Sequence, residues 1–374
     1  MGEWLNRPPS REAAKKLINM SLEDKVYQTC VNISDWDIFT GGKWYISFSG
    51  GKDSTVLAYI AAKLLNGSPI PRTLYLLFCD TGLEYPEIRK FVFWYAEWLQ
   101  KRFKKVTVEL QVQRPKKHFF EVIRENGYPV IGKEVAQAIW EAKRADGKKY
   151  SYRIARLNGE LRDKNGELSK FNIPQYKYLV YAPYYISHKC CVLTKKEPAS
   201  TYERKNKLKP VVATMAGESE ARKTAWLVSG CNAYEGKRPQ SKPMSFWNEQ
   251  NVLQYKVQEG IPFCSVYGEV LPFDGENYYE KTLFDIEKGI MCQDWKCTGC
   301  QRTGCVFCGF GAHLEKPGEQ RFVRLKETHP KHWNYAINGG EWDPADGMWK
   351  PSKTPGHVGL GMGRVLDYIG VPYE

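Results

Sequence analysis

The chain has 374 residues, of which 42% are hydrophobic and 26% charged, and its formal net charge is +13. This is an ordinary globular composition, and the length suffices for a sizeable core and for two or three domains. The first residues, MGEWLNRPPSREAAKK, lack the apolar run of a secretory signal, and no stretch approaches about 18 consecutive apolar residues. We therefore expect a cytoplasmic protein with no membrane partner, whose 11 cysteines do not form disulfides.

Positive charge is concentrated in one part of the chain. Residues 101–210 contain 26 Lys and Arg against 11 Asp and Glu, a balance of +15, while the rest of the chain sums to −2. Aromatic residues such as Tyr152, Phe171 and Tyr181 are interspersed in this basic segment. The pattern suits a polyanion, either a nucleic acid or a multiply phosphorylated nucleotide. The alternative is a solvated, lysine-rich surface.

Predicted helices and strands alternate along the chain. Helices are expected after the N-cap residues Ser10 and Ser21, and the later elements are strand 44–49, helix 54–65, strand 72–79, helix 86–101, strand 106–112, strand 210–215, helix 219–228 and helix 248–259. Strands and helices at this spacing predict an α/β fold, in which a parallel twisted sheet has helices on both faces.

The same pattern gives a domain division. Residues 1–36 are predicted to be an N-terminal helical segment, residues 37–270 the α/β domain, and residues 271–374 a Cys-rich C-terminal region with a terminal helix. Residues 132–181 are polar and rich in Gly and Lys. We expect them to form an insertion with a β-hairpin, outside the sheet core.

A glycine-rich turn follows the first predicted strand, in the stretch SFSGGKDSTVLAYI at residues 47–60. Gly50 and Gly51 allow backbone N–H groups to approach a ligand closely, and the next helix presents its positive N-terminus. Phosphate is the anion expected there. The stretch is not a Walker A motif, because four residues do not separate a first glycine from a Gly-Lys-Ser/Thr ending. We call residues 49–54 the phosphate loop.

Four stretches together resemble one known family. The phosphate loop, SGGKDS, resembles the pyrophosphate loop (PP-loop) of the N-type ATP pyrophosphatases, which cleave ATP between its α- and β-phosphates or bind an adenylyl sulfate. Within that superfamily, three further stretches are similar to segments of the phosphoadenosine phosphosulfate (PAPS) reductase family: FCDTGLEYPEI (78–88), MAGESEAR (215–222) and FWNEQNVLQYKVQEGIPF (246–263). The resemblance covers roughly residues 35–330 and implies a Rossmann-like PP-loop fold.

The resemblance also implies roles for individual residues. The implied nucleotide-binding residues are Ser47, Ser49, Gly50, Gly51, Lys52, Asp53, Ser54, Asp80, Thr81, Gly82, Glu218 and Ser219. The implied catalytic residues are Lys52, Asp53 and Arg222, and we expect Lys52 and Asp53 to lie in a solvent-accessible loop and not in the core. The implied ligands are ATP or an adenylyl sulfate, together with Mg²⁺ that Asp53 helps to orient. Without the resemblance, Arg222 would be interpreted as an ordinary surface arginine of a helix.

Six cysteines form two groups that are far apart in the sequence. Cys190 and Cys191 are adjacent, and KCTGC and GCVFC contain Cys297, Cys300, Cys305 and Cys308. Adenylyl-sulfate reductases of the family hold a [4Fe–4S] cluster with a Cys-Cys pair and a later Cys-x-x-Cys pair, which implies as ligands Cys190, Cys191, Cys305 and Cys308. Spacing alone leaves other interpretations open: a Zn²⁺ site on the last four cysteines, a ferredoxin-like spacing from Cys300 to Cys308, or unliganded thiols.

One departure from the family decides the expected function. Its adenylyl-sulfate reductases carry a C-terminal Glu-Cys-Gly-x-His segment whose cysteine attacks sulfur, whereas no cysteine follows Cys308 here. We therefore expect an ATP pyrophosphatase and sulfurtransferase that activates or thiolates a nucleic acid, as relatives in DNA phosphorothioation and tRNA thiolation do. Its expected partners are an adenine nucleotide, a protein that donates sulfur or electrons, and DNA or tRNA.

Two alternatives remain for the function. One is an adenylyl-sulfate (APS or PAPS) reductase that releases sulfite and uses Cys297 or Cys300 as its nucleophile. The other is a non-catalytic, nucleotide-binding regulatory module with a structural zinc ion. The basic segment should distinguish nucleic-acid modification from adenylyl-sulfate reduction. Nucleic-acid binding is expected to involve Lys143, Arg144, Lys148, Lys149, Arg153 and Arg156.

Overall fold

The computed structural model describes residues 8–144, 152–236, 238–273 and 294–374. The chain divides into two compact units. The first consists of Met1–Asp80, Glu84–Gln113 and Ala199–Thr303, and the second of Thr81–Leu83, Arg114–Pro198 and Gly304–Glu374. Each unit is therefore assembled from separate stretches of the chain. The predicted domain boundaries after residues 36 and 270 stay a prediction.

A six-stranded sheet is the framework of the first unit. In spatial order its strands are Val106–Gln113, Arg72–Cys79, Trp44–Ser47, Lys209–Val211, Gln240–Ser241 and Asn232–Ala233. Every neighbouring pair is parallel except the last, where Asn232 lies opposite Ser241 in antiparallel register. The predicted α/β fold with a mostly parallel sheet is confirmed.

Helices flank this sheet, and most begin where the sequence predicts. They are Arg11–Ile18, Leu22–Thr40, Lys52–Asn66, Pro86–Arg102, Glu197–Asn206, Glu220–Ser229 and Glu249–Glu259. The side chains of Ser10 and Ser21 cap the first two by accepting the N–H groups of Ala13 and Asp24, each at 3.1 Å. The described part of the unit also contains short helical turns at Ala216–Glu218 and Ser265–Tyr267, and an antiparallel pair of strands, Val270–Phe273 and Asp294–Cys297.

The core fixes both ends of the phosphate loop. Ile46 and Phe48 precede the loop, Val56 and Ile60 follow it, and all four are at most 1% exposed within one hydrophobic cluster. Burying a side chain of this size contributes about 1.5–3 kcal/mol. The end of the strand and the start of the helix are thus held in place, and the loop spans a fixed gap.

The second unit is mainly helical. Its helices are Phe119–Asn126, Lys133–Arg144, Tyr152–Asn158, Arg321–Thr328, Pro330–Ile337 and Met362–Tyr368, with shorter helical turns at Pro174–Tyr181, Lys189–Cys191, Val192–Lys196 and Ala312–Leu314. Two small sheets accompany them: Gly309–Phe310 pairs in parallel with Val130–Ile131, and Glu341–Asp343 pairs antiparallel with Met348–Lys350. The terminal helix expected from the sequence is present as Met362–Tyr368.

The β-hairpin predicted within residues 132–181 is wrong for most of that segment. Its described part is mainly helical, and the antiparallel pairing found there is one bridge between Arg162 and Leu168. Helix Lys133–Arg144 buries Ala136, Ala138 and Ile139. This apolar face was not recognised in the sequence because charged residues surround it. Residues 145–151 lie outside the described residues.

Among the described residues, no helix has both the length and the apolar character that crossing a bilayer requires.

Candidate functional site

The phosphate loop connects strand Trp44–Ser47 to helix Lys52–Asn66. Gly50 has φ +72°, and a Cβ there would lie 2.8 Å from Cγ2 of Val92 and 3.1 Å from Cγ2 of Ile88. Both its left-handed backbone and its close approach to helix Pro86–Arg102 therefore require glycine. Gly51 is the N-cap of the next helix and has no side chain to occupy the first-turn N–H groups. This is the anion-binding geometry that the sequence predicts.

Two serines brace the loop from within. The hydroxyls of Ser49 and Ser54 lie 3.1 Å apart, and Ser54 Oγ also accepts the Ser49 N–H at 3.2 Å. The Gly51 N–H donates to Ser49 Oγ at 3.3 Å. The loop is therefore preorganised, with both hydroxyl groups at its mouth.

Lys52 is the buried cation of the loop. We expected its side chain to be solvent-accessible, but it is only 6% exposed. Its ammonium group forms an ion pair with Glu249 and lies 5.5 Å from the centre of the Tyr267 ring. The backbone N–H of Lys52 lies near the Tyr267 hydroxyl and counteracts part of the rise that burial causes in the pKa of that hydroxyl. The packing of two distant segments against the loop thus fixes the direction of the ammonium group.

Asp53 is a carboxyl group with an unusual environment. Burial, and to a lesser degree the nearby Glu249, raise its pKa above the ordinary value, although Lys52, Arg302 and Arg222 oppose the shift. A buried carboxylate among cations is suited to hold a divalent metal against a phosphate chain, because the metal offsets the cost of ionising it. The predicted Mg²⁺ role of Asp53 therefore fits this environment and stays a proposal.

Glu218, Ser219 and Arg222 form a compact turn after strand Lys209–Val211. Arg222 forms an ion pair with Glu218, which also accepts the Met215 N–H at 3.1 Å. Ser219 caps helix Glu220–Ser229 by accepting the Arg222 N–H at 3.3 Å. Ser219 thus has a structural role in helix capping, and Arg222 is held beside Asp53 as an anion ligand would require.

A cleft with a volume of about 270 Å³ lies at the phosphate loop of the first unit, and the predicted residues Gly50, Ser219 and Arg222 are not part of its lining. Its lining consists of Ser47, Ser49, Gly51, Lys52, Asp53, Ser54, Val212, Ala213, Met215, Glu218, Glu249, Tyr267, Gln301, Arg302 and Thr303. Seven of the predicted site residues are thus brought together. Glu249, Tyr267 and residues 301–303 were missed because they are distant in sequence. Residues 301–303 could have been found from one signal in the sequence, a polar Gln-Arg-Thr run between the cysteine pairs.

The predicted residues Asp80, Thr81 and Gly82 have other surroundings. Asp80 is buried and accepts the Arg89 Nε–H at 3.1 Å. Thr81 Oγ1 accepts the Leu83 N–H at 3.1 Å, which closes a turn in which Gly82 has φ +74°. These three residues follow strand Arg72–Cys79 at its carboxyl end, where nucleosides bind in open α/β sheets. Their nucleotide role stays a prediction.

Four of the six clustered cysteines belong to the second unit. The free Cys190 thiol lies beside that of Cys191, and the nearby Cys191, Cys305 and Cys308 thiols together with burial raise the pKa of Cys190. A proton shared with Cys190 and the cations Lys133 and Lys195 lower the pKa of Cys191 to about 6. Across the described residues, no three His, Cys, Asp or Glu side chains are arranged as they stand to hold a metal ion. Four mutually interacting thiols are nevertheless the donor set that iron–sulfur clusters use.

Cys297 and Cys300 belong instead to the first unit. Cys297 is fully buried, and burial raises the pKa of its thiol while Lys52 lowers it. Cys300 is half-buried, and its N–H donates to the Val266 carbonyl at 2.8 Å. The zinc quartet would therefore need two cysteines from each unit. The residues that immediately follow Cys300 line the cleft.

Most of the cations singled out in the basic segment are engaged within the protein. Lys143 donates to the Tyr184 carbonyl at 2.9 Å, and the Arg144 guanidinium lies 4.5 Å from the centre of the Trp140 ring. Two further ion pairs, each at 3.2 Å, are Arg153 with Glu141 and Arg156 with Glu134. Lys148 and Lys149 lie outside the described residues. Lys164, Lys170 and Lys177 are exposed, as are the aromatic residues Phe171 and Tyr181.

The comparison with protein families agrees with this geometry. Residues 43–137 match the family model of the phosphoadenosine phosphosulfate reductase domain. The phosphate-loop segment is therefore similar to the domain of that family. The matched residues include the strand, the phosphate loop and the two helices and strands that follow. This supports a PP-loop, nucleotide-binding enzyme and leaves its reaction open.

Two individual proteins are similar to this chain. An uncharacterized protein of Methanocaldococcus jannaschii is 31% identical over 127 residues, which are 34% of this chain and 26% of that protein. The match thus spans about a quarter of the length of that relative. The crystal structure of a PAPS reductase from Candida auris in complex with phosphate covers 73% of this chain and 100% of its own, at 12% identity and a TM-score of 0.34.

Proposed function

We propose that this PAPS reductase-family protein binds ATP with Mg²⁺ in the cleft of the first unit and activates a nucleic acid for sulfur transfer. The observation that carries the proposal is the preorganised phosphate loop with the buried Lys52–Glu249 pair at its centre. A phosphate loop whose lysine is held in place by a carboxylate is suited to stabilise the negative charge that develops on a departing pyrophosphate.

The proposed reaction is attack of an acceptor oxygen or nitrogen on the α-phosphorus of ATP, with cleavage of the bond between the α- and β-phosphates. Backbone N–H groups of the phosphate loop and the hydroxyls of Ser49 and Ser54 would bind the phosphates. Lys52 would neutralise the leaving pyrophosphate, Asp53 would orient Mg²⁺, and Arg222 would hold a further anionic group.

A [4Fe–4S] cluster is part of the proposal. Its ligands would be the four cysteines that interact in the second unit, Cys190, Cys191, Cys305 and Cys308. When bound, such a cluster supplies electron transfer or a sulfur-binding iron site. Lys133 and Arg321 act electrostatically on Cys308 and would partly offset the negative charge of a thiolate-bound cluster.

The nucleic acid is proposed from the charge of residues 101–210 and from the exposed residues found there. Lys164, Lys170 and Lys177 are available to bind phosphates, and Phe171 is 57% exposed with Lys170 Nζ 5.5 Å from its ring centre. Cations beside exposed aromatic rings are the usual means of binding a polynucleotide with accessible bases.

The second candidate is an adenylyl-sulfate reductase that releases sulfite. It is favoured by the position of Cys300, which immediately precedes the cleft-lining residues 301–303. Anaerobic protein supplied with ATP and nucleic acid, or with an adenylyl sulfate and a thiol, distinguishes the two. The proposal predicts pyrophosphate from the first mixture. Sulfite from the second mixture, lost in Cys300→Ser, would establish the reductase instead.

A further inference from the structure

Arg302 is a cation of the cleft that was not among the predicted site residues. It lies between the cysteine pairs 297/300 and 305/308, and its side chain is exposed at the wall of the cleft that holds Lys52 and Ser49. Its charge acts on Asp53 and on Arg222. Arg302 is therefore close to the two groups that flank the phosphate loop.

The cations of the cleft differ in their partners. Lys52 is paired with Glu249, and Arg222 is paired with Glu218. Within the stretches of chain that the structure describes, Arg302 makes neither an ion pair nor a hydrogen bond. The charge of Arg302 opposes that of Arg222, and Asp53 is the carboxyl group close to both. An anion bound beside the two guanidinium groups would therefore be attracted by both.

The backbone around Arg302 is held firmly on both sides. Thr303 Oγ1 and the Tyr267 hydroxyl lie 2.5 Å apart, and Gln301 Nε2 donates to the Cys297 carbonyl at 2.6 Å. The Lys52 ammonium group lies 5.5 Å from the ring centre of the same Tyr267. The backbone that carries Arg302 is therefore anchored beside the phosphate loop, which keeps the guanidinium within reach of a ligand in the cleft.

We propose that Arg302 is a specificity-determining residue that binds the β- and γ-phosphates of a nucleoside triphosphate, together with Arg222. It makes the cleft favour a triphosphate over a monophosphate. The inference rests on the proposed function, since it takes ATP as the ligand. The planar guanidinium suits this role, because it binds phosphate oxygens in pairs and stays charged at any working pH.

The test measures affinities of wild type and variants for ATP, pyrophosphate and AMP by calorimetry. Arg302→Ala should weaken ATP and pyrophosphate binding about tenfold or more, while AMP changes less than about twofold. Arg302→Lys should restore part of the lost affinity, because lysine keeps the positive charge but lacks the paired N–H donors of the guanidinium group. The control, Lys104→Ala, removes an exposed charge ahead of strand Val106–Gln113, at the sheet edge opposite the cleft, and should leave all three affinities unchanged.

The outcomes separate this inference from the proposed function. Equal losses for ATP and AMP in Arg302→Ala, or no loss for either, would overturn the role of Arg302 while ATP binding by the wild type still stood. A wild-type protein that binds none of the three ligands would overturn both. Unchanged thermal unfolding of Arg302→Ala is expected, since the side chain is exposed, and it confirms that lost affinity does not reflect lost folding.

Discussion

Lys52 shows how a single residue of the phosphate loop depends on distant parts of the chain. Its ammonium group is paired with Glu249, which lies 197 residues away. An incoming phosphate would compete with this carboxylate for the ammonium group. The pair therefore keeps Lys52 oriented before the ligand arrives, and the same carboxylate becomes a repulsive neighbour when the lysine is removed.

We predict that Lys52→Ala weakens ATP binding by about 1.5–3 kcal/mol, the usual value of a charge-assisted hydrogen bond. The double variant Lys52→Ala/Glu249→Gln should regain part of the loss, because the unpaired carboxylate is gone. Calorimetry measures the ATP affinities of both variants. Lys63→Ala is the matched control, since Lys63 lies on the same helix and pairs with Glu259 at 2.9 Å. Equal affinities in wild type and Lys52→Ala would refute the assignment of the phosphate loop.

Asp53 gives a prediction about pH. Burial raises its pKa, so ionising this carboxyl group costs the folded state free energy. The stability that the protonated form provides is present at low pH and is lost as pH rises through the folded pKa. Without nucleotide and Mg²⁺, Asp53→Asn should therefore be more stable than wild type at pH 7, and the difference should vanish below about pH 4.

Urea denaturation at both pH values measures this difference for Asp53. A gain of the same size at pH 7 and below pH 4 would point to packing and not to ionisation. A variant that is less stable than wild type at pH 7 would mean that the carboxylate is stabilised by Lys52, Arg222 and Arg302 more than it is destabilised by burial.

At the scale of elements, the phosphate loop depends on one glycine packed against a helix. Gly50→Ala forces a Cβ to within 2.8 Å of Val92, and the left-handed backbone adds strain. We predict that it destabilises the fold by roughly 1–3 kcal/mol beyond the backbone strain alone and abolishes ATP binding. Gly41→Ala is the matched control, because Gly41 has φ +59° with nothing within 4 Å of an added Cβ. Similar losses in both variants would mean that the contact with Val92 is unimportant.

The elements of the first unit were predictable because their signals are local. Strand Arg72–Cys79 contains the apolar run of residues 74–79, and helix Pro86–Arg102 begins with proline at its first turn. The strand predicted at 210–215 ends at Val211 instead. The helix Lys133–Arg144 was missed because its few buried residues are small and are surrounded by charge. Local pattern therefore failed where burial is slight.

The candidate site was predictable only in part, for a related reason. The phosphate loop is a contiguous motif, so its serines, glycines and Lys52 were identified from sequence. Glu249, Tyr267 and Arg302 reach the same cleft from separate segments, and no local pattern marks a side chain whose partner is some 200 residues away. The exposure expected of Lys52 was wrong because the segments that cover it could not be seen in the sequence.

At the scale of the whole molecule, the cysteines of the two units should behave differently. Anaerobically purified protein is predicted to be brown, with iron and sulfide near a four-iron stoichiometry. Serine substitution of Cys190, Cys191, Cys305 or Cys308 should abolish the iron content, whereas Cys297→Ser and Cys300→Ser should retain it. Iron and sulfide analysis with absorption spectra tests this. Zinc that is lost in Cys297→Ser would support the local quartet instead.

The basic segment provides a second whole-molecule prediction. Replacing Lys164, Lys170 and Lys177 together by alanine should flatten the dependence of log affinity on log salt by about 2–3 units, roughly one per lost phosphate contact. ATP affinity should be unchanged, because these residues lie outside the first unit. The control triple variant replaces the exposed Lys15, Lys90 and Lys331. An equal slope in both variants would show that the segment is a solvated surface.

The central claim is that ATP binding in the cleft drives sulfur transfer to a nucleic acid. The most direct measurement follows radioactive sulfur from a labelled donor into DNA or tRNA, under anaerobic conditions, with and without ATP. We expect labelled sulfur in the nucleic acid only when ATP is present, no label with Lys52→Ala, and release of pyrophosphate in proportion to the label. Unlabelled nucleic acid, together with sulfite released from an adenylyl sulfate by the same preparation, would refute the proposed sulfur transfer.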